Sequence, residues 1–352
     1  MPDPLLYTKA MGVAAFISMA LVLAIFAWRR RLKMAELNSV CVVGIGFGLV
    51  AGYAVLALNL SWPPANALDR LLLIIVPATL VIELIAGFQR VPRAVAWLIR
   101  ISLALVAPWI LLHNSIYLND SGDWTPWQVG LVIVVSAALL ILVWGLFSVL
   151  SQRSGGVSLP IAVCIAVQCA GVAVMLAGYI KGGAAAIPLV ATLLGTSIVV
   201  QGVARFFSGK IDVSLPQKVV VPGVVGVGLV GLFGLLFIGR FFGEISTLTA
   251  VTILAAPLLC WLSEARQLRN RKPWIIAAFR LIVVAIPLVV VLLAAKREFD
   301  REMSPLLGAA GRQDDQRATE CNASHFLILG QLLAERRESS GASKSEGLAP
   351  FR

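Results

Sequence analysis

Three ionisable side chains stand deep inside long apolar runs: Glu83, Arg100 and Arg280. A charge at membrane depth costs about 3 kcal/mol or more, so each marks either a pathway or a paired structural tie. Glu83 lies seven residues before Arg90, and Arg100 seven residues after Arg93. At ~1.5 Å per helical residue both fall about 10 Å from the hairpin between them, and antiparallel neighbours bring them level. Arg280, eight residues beyond Lys272, falls at a similar depth on the same side. One chemistry is a charged site facing a cavity, with Glu83 carrying a proton or cation and an arginine serving as counter-charge or anion clamp. The other is a Glu83–Arg100 ion pair that fixes the hairpin, with Arg280 snorkelling to the interface.

A second polar group is uncharged. Thr192 and Thr196 are four residues apart and share a helix face, with Ser197 and Gln201 further along. Gln168, one span earlier, falls at nearly the depth of Thr192. The set either lines a midplane site for an uncharged solute or supplies interhelical hydrogen bonds. Gly44, Gly48 and Gly52 form a repeated small-xxx-small ridge, and Gly223, Gly226, Gly228, Gly231 and Gly234 thin a later helix. Both patterns read as close helix packing. Gly44, Gly46 and Gly48 alternate as in a nucleotide loop, but no strand precedes them.

Metal or cofactor chemistry has little to draw on. The chain holds two histidines and five cysteines; Cys41, Cys164, Cys169 and Cys260 fall in apolar runs and Cys321 stands alone. No paired ligand spacing is visible, so no metal and no cofactor is implied. An enzyme would need a cluster of histidines, carboxylates or an activated nucleophile near one interface. One buried carboxylate is not such a cluster, so the sequence leans away from catalysis.

These residues need a scaffold that fits their setting. Of 352 residues 59% are hydrophobic and 13% charged, with a mean hydropathy of +0.91. Soluble domains average about 45–50% apolar residues, and disordered chains fewer, so both classes are excluded. Crossing a hydrocarbon core takes about 20 apolar residues. Ten runs qualify: 11–28, 39–58, 71–88, 94–112, 129–150, 159–180, 184–203, 219–239, 246–262 and 274–295. The expected fold is an all-α, polytopic helix bundle of about ten transmembrane helices with short loops.

Lys and Arg gather in cytoplasmic loops. On alternate sides of the ten runs, one side carries 14 basic residues, from Arg29 to Lys272, and the other, leaving out the long tail, carries Lys9, Arg70, Lys181 and Arg240. Both termini are therefore expected on the outer, non-cytoplasmic side of a plasma membrane or bacterial inner membrane. The first run is followed by Arg29, Arg30, Arg31 and Lys33, which reads as a retained anchor rather than a cleaved signal. The net charge of +11 resides in these loops, since the tail from Lys296 onward carries nine basic and nine acidic residues. Nucleic acid is not an expected partner. Trp28, Trp97, Trp261 and Trp274 fall near one interface and Trp62, Trp109, Trp124 and Trp127 near the other, as indoles prefer. Trp144 fits neither.

The expected organisation is a transmembrane domain over 1–295 and an outer-side tail over 296–352. In the tail, Phe326, Leu329, Leu332 and Leu333 recur at helical spacing, predicting a short amphipathic helix near 322–338 before a disordered end. Asn119 to Asp123 reads as an ordinary turn, without the full pattern of a calcium loop. Two functions fit. One is a secondary transporter or permease for a small solute, suggested by the helix count, short loops, buried charges and intramembrane prolines. The other is a non-catalytic membrane subunit or scaffold, suggested by the sparse polar interior, the glycine ridges and the tail. Expected partners are the lipid bilayer, and companion membrane subunits or a second copy of the chain.

Overall fold

The computed structural model describes residues 4–28, 34–58, 60–88, 91–115, 124–153, 156–207, 221–264 and 274–301. Among them the chain is helical almost throughout and contains no strand. The helices are α1 (Pro4–Trp28), α2 (Met34–Val55), α3 (Ala67–Arg70, Leu71–Ile75 and Val76–Ala86 end to end), α4 (Arg93–Leu112), α5 (Pro126–Arg153), α6 (Ser158–Leu176), α7 (Ile180–Phe207), α8 (Pro222–Phe241), α9 (Thr247–Ala255, then Ala256–Glu264) and α10 (Trp274–Arg301). Nine are long and apolar enough to cross a membrane. The remaining one, α3, joins segments of 4, 5 and 11 residues into one further apolar rod. Large apolar side chains are exposed on the flanks, among them Phe16 at 68%, Val134 at 64% and Val290 at 61%. Such a surface suits hydrocarbon and not water. The protein is a multi-pass, all-α membrane bundle.

The chain divides into two compact units, Met1–Ala295 and Lys296–Arg352. Of the second unit only the end of α10 is described. The amphipathic helix expected near 322–338 and the turn expected at 119–123 lie outside the described residues.

Polar contacts show the helices alternating in direction. At one end Asn38, early in α2, meets the end of α3 and the start of α8. At the other, Tyr53, late in α2, donates to the carbonyl of Ala185 near the start of α7. Arg70, at the start of α3, donates to the carbonyl of His113 just after α4. The first end is called the basic end below, after the loop charges that flank it in sequence.

α8 is the core of the bundle, with every residue from Gly223 to Gly239 buried. Its glycines let neighbours approach the backbone. A Cβ at Gly228 would stand 2.7 Å from a Val163 methyl on α6, and one at Gly226 2.6 Å from the Glu83 carboxylate on α3. On α2, a Cβ at Gly44 would meet Val22 of α1, one at Gly48 Thr192 of α7, and one at Gly52 Pro188 of α7.

Three departures from the sequence expectation have physical causes. α3 begins at Ala67 rather than at Leu71 and contains a wide π turn over Leu71–Ile75. Pro77 follows that turn; a proline has no N–H to give and its ring crowds the carbonyl four residues back, which a widened turn relieves. α9 tightens to a 3₁₀ helix from Ala256, next to Pro257. α7 starts at Ile180, so Lys181, Gly182 and Gly183 are helical rather than the expected connection. The turn lies one step earlier, where Gly178 adopts a φ of 82° that a side chain would resist.

Candidate functional site

The polar interior at the basic end forms two separate knots. The first is built on Glu83 and Arg100. Arg100 Nε donates to Glu83 Oε1 at 2.8 Å and its Nη2 to Oε2 at 2.7 Å, a two-pronged ion pair across the α3–α4 hairpin. Glu83 is completely buried, and the Arg100 side chain is 11% exposed. The guanidinium carbon lies 5.4 Å from the Trp97 ring centre and 5.7 Å from that of Trp144, within cation–π range. Trp144, which fits neither interface in the sequence, is thus a buried wall of this knot.

Asn38 completes it. Its Nδ2 donates to the Glu83 carbonyl at 2.9 Å, and its Oδ1 accepts from Gly223 N at 2.8 Å. Helix starts leave N–H groups without intrahelical partners, and Asn38 satisfies one at the start of α8 while adding a second donor to the Glu83 carbonyl, which also accepts from Gly87 N at 3.1 Å. Sequence reasoning missed Asn38 because the expected span began one residue later, at Ser39. The signal available was an amide abutting an apolar run.

The second knot holds Arg280. Its Nε donates to Ser263 Oγ at 2.5 Å, Nη1 to Ser158 Oγ at 3.1 Å and Nη2 to Glu264 Oε1 at 3.1 Å. These bonds tie α10 to the end of α9 and the start of α6. Arg280 is 5% exposed, so it is bound within the bundle instead of snorkelling to the interface. Among the described residues no hydrogen bond or ion pair joins this knot to the first, so the three charges do not converge on one cavity.

The uncharged set does not converge either. Thr192 and Thr196 are completely buried in α7. Thr192 Oγ1 donates to its own helix at Leu189, while Thr196 Oγ1 is buried without a partner. Gln168 is exposed on α6, the only residue of that helix so placed. No hydrogen bond among the described residues joins it to the buried α7 threonines.

At the opposite end the structure buries charges that the sequence reading left in a loop. Asp69 and Arg70 are 4% and 5% exposed in the first turn of α3. Asp69 accepts from Ser61 Oγ at 2.6 Å, and Arg70 Nη2 donates to the carbonyl of Ala65 at 3.1 Å. Burial, and secondarily the Asp69 carboxylate, push the Tyr179 phenol above its ordinary pKa. Among the described residues no group of three histidine, cysteine, aspartate or glutamate side chains gathers as metal ligands do.

In comparisons with known proteins, no family model, no curated protein and no solved structure matches the chain. The arrangement therefore speaks through its own chemistry. It ties Glu83, Arg100 and Arg280 to partners inside the bundle and leaves the Gln168 amide exposed on α6.

Proposed function

We propose that the protein is a non-catalytic subunit or scaffold of a membrane assembly. The observation that carries this reading is Gln168. It lies ten residues into α6, about 15 Å along the helix and so near the centre of a hydrocarbon core about 30 Å thick. There its amide has no water to bond, and no hydrogen-bond partner among the described residues. A glutamine so placed gains from a polar group on another span, an interaction of about 1 kcal/mol. The buried charges support the same reading, because both oxygens of Glu83 are engaged by Arg100 and Arg280 is engaged by three partners. The membrane is taken to be the plasma membrane or bacterial inner membrane, on the strength of the loop-charge asymmetry.

Gentle purification from native membranes followed by intact-complex mass spectrometry tests this. A fixed companion is expected, either another membrane protein or a second copy, and Gln168→Leu should release it while Gln168→Asn retains it. A folded wild-type chain that travels alone overturns the reading, as does a companion held equally by Gln168→Leu.

Transport of a small solute is the second reading. The interruptions of regular helix favour it: the π turn of α3, Pro188 within α7 and the 3₁₀ stretch of α9. It requires that Glu83 and Thr192 become wet from one side. Cysteines at both positions that resist every water-soluble thiol reagent in the folded protein would sink it.

A further inference from the structure

A cleft of about 280 Å³ lies between α5, α8 and α9. Its rims are the exposed Leu131, Val135 and Val251, and its floor is the buried Phe233, Leu236 and Leu254. Exposed apolar rims in a membrane bundle mean that the cleft opens sideways to lipid. Its polar end lies away from the basic end, where Arg240 closes α8 and Thr247 opens α9, with Trp124 beside them.

We propose that this cleft is a binding site for an anionic phospholipid, with one acyl chain in the apolar trough and the phosphate held by Arg240. Three observations carry it. First, Arg240 is exposed; its Nε donates to Thr247 Oγ1 at 2.7 Å and its guanidinium carbon lies 5.9 Å from the Phe241 ring centre, while neither Nη makes a hydrogen bond among the described residues. No carboxylate among the described residues lies within ion-pair distance of it, although Glu244 is four residues on. A guanidinium with free prongs at the polar end of an apolar trough matches a phosphate.

Second, the trough is apolar along its length. It runs along α8 from Phe233 to Phe241, about 12 Å at ~1.5 Å per residue, between the exposed Leu131, Val135 and Val251. An extended hydrocarbon chain lying along it would meet almost only apolar side chains until it reaches Arg240 and Thr247. Third, Trp124 packs edge-on against Phe241 at 6.3 Å, placing an indole at the mouth. Indoles favour headgroup level, the depth at which a phosphate would meet Arg240. The site lies on other helices than Gln168, so the two proposals stand or fall separately.

Brominated acyl chains quench nearby tryptophans, and this gives the test. The full chain is reconstituted in phosphatidylcholine containing a minor fraction of brominated lipid, either phosphatidylglycerol or phosphatidylcholine. The Trp124 signal is taken as the difference between wild type and Trp124→Phe, since the chain holds nine tryptophans. Brominated phosphatidylglycerol should be enriched at Trp124 about fivefold over brominated phosphatidylcholine, the scale of preference that one basic residue gives for anionic lipid. Arg240→Gln should abolish the preference and Arg240→Lys should keep most of it. If Arg240→Gln does not fold, the wild-type preference must still fall as salt rises. Equal quenching by the two lipids overturns the proposal, and so does a preference that survives both Arg240→Gln and high salt. Absence of quenching by either lipid also overturns it, because the trough would then hold no lipid chain.

Discussion

Arg100 reaches both oxygens of Glu83, and the geometry sets what each half of the pair is worth alone. Removing one partner of a buried pair strands the other and costs about 3–5 kcal/mol, whereas removing both together costs much less. Arg100→Gln should therefore destabilise the bundle by about 3 kcal/mol, and Glu83→Gln combined with Arg100→Gln should recover more than half of that. Unfolding by titration with a denaturing detergent measures both. A double variant as unstable as the sum of its parts would show that the two residues act separately. Arg100→Lys should fall between, since an ammonium cannot make the two-pronged contact that the guanidinium makes within cation–π range of Trp97 and Trp144. At this scale the sequence was a good guide to the pair, because equal distance from one hairpin fixes depth. It did not reveal Asn38 or the burial of Asp69 and Arg70. Those depend on where a helix starts, and starts shift by several residues without changing the apolar pattern.

A helix can carry the right residues and still point them in an unforeseen direction. α6 is apolar nearly all round, so nothing in its sequence says which face meets α7. Depth placed Gln168 beside Thr192, while rotation turned it outward. α8 shows the converse. Its glycines are legible as sites of close approach, but the neighbours they admit come from α2, α3, α6 and α7, far away in sequence. Gly226 is the sharpest case, because the side chain in its way is the Glu83 carboxylate, which Arg100 holds in place. Gly226→Ala should cost about 1–3 kcal/mol by overpacking. The loss should shrink when Arg100→Gln is already present, since the freed carboxylate can move aside. The same detergent titrations on the two single variants and the double variant check this, and strictly additive losses would show that the methyl group is accommodated elsewhere.

For the molecule as a whole, runs of about 20 apolar residues are a strong signal because a bilayer leaves few alternatives to helices. That is why the bundle could be read in advance while the π turn of α3 and the 3₁₀ stretch of α9 could not. Direction across the membrane is a separate question, which charge decides. The alternation seen in the polar contacts puts all the strongly basic connections at one end, and the asymmetry of 14 against 4 loop charges is steep. Basic residues near helix ends resist transfer, so this end should face the cytoplasm. Cysteine labelling on intact cells tests the orientation. Native Cys41, Cys164, Cys169 and Cys260 are buried, so only Cys321 need be replaced first. A cysteine at Lys181 or Glu244, both exposed at the opposite end, should react with a membrane-impermeant thiol reagent added outside. A cysteine at Gln152, exposed at the basic end, should react only after the membrane is opened. The reverse pattern would put the basic end outside and move Arg240, with the lipid it is proposed to hold, to the cytoplasmic leaflet.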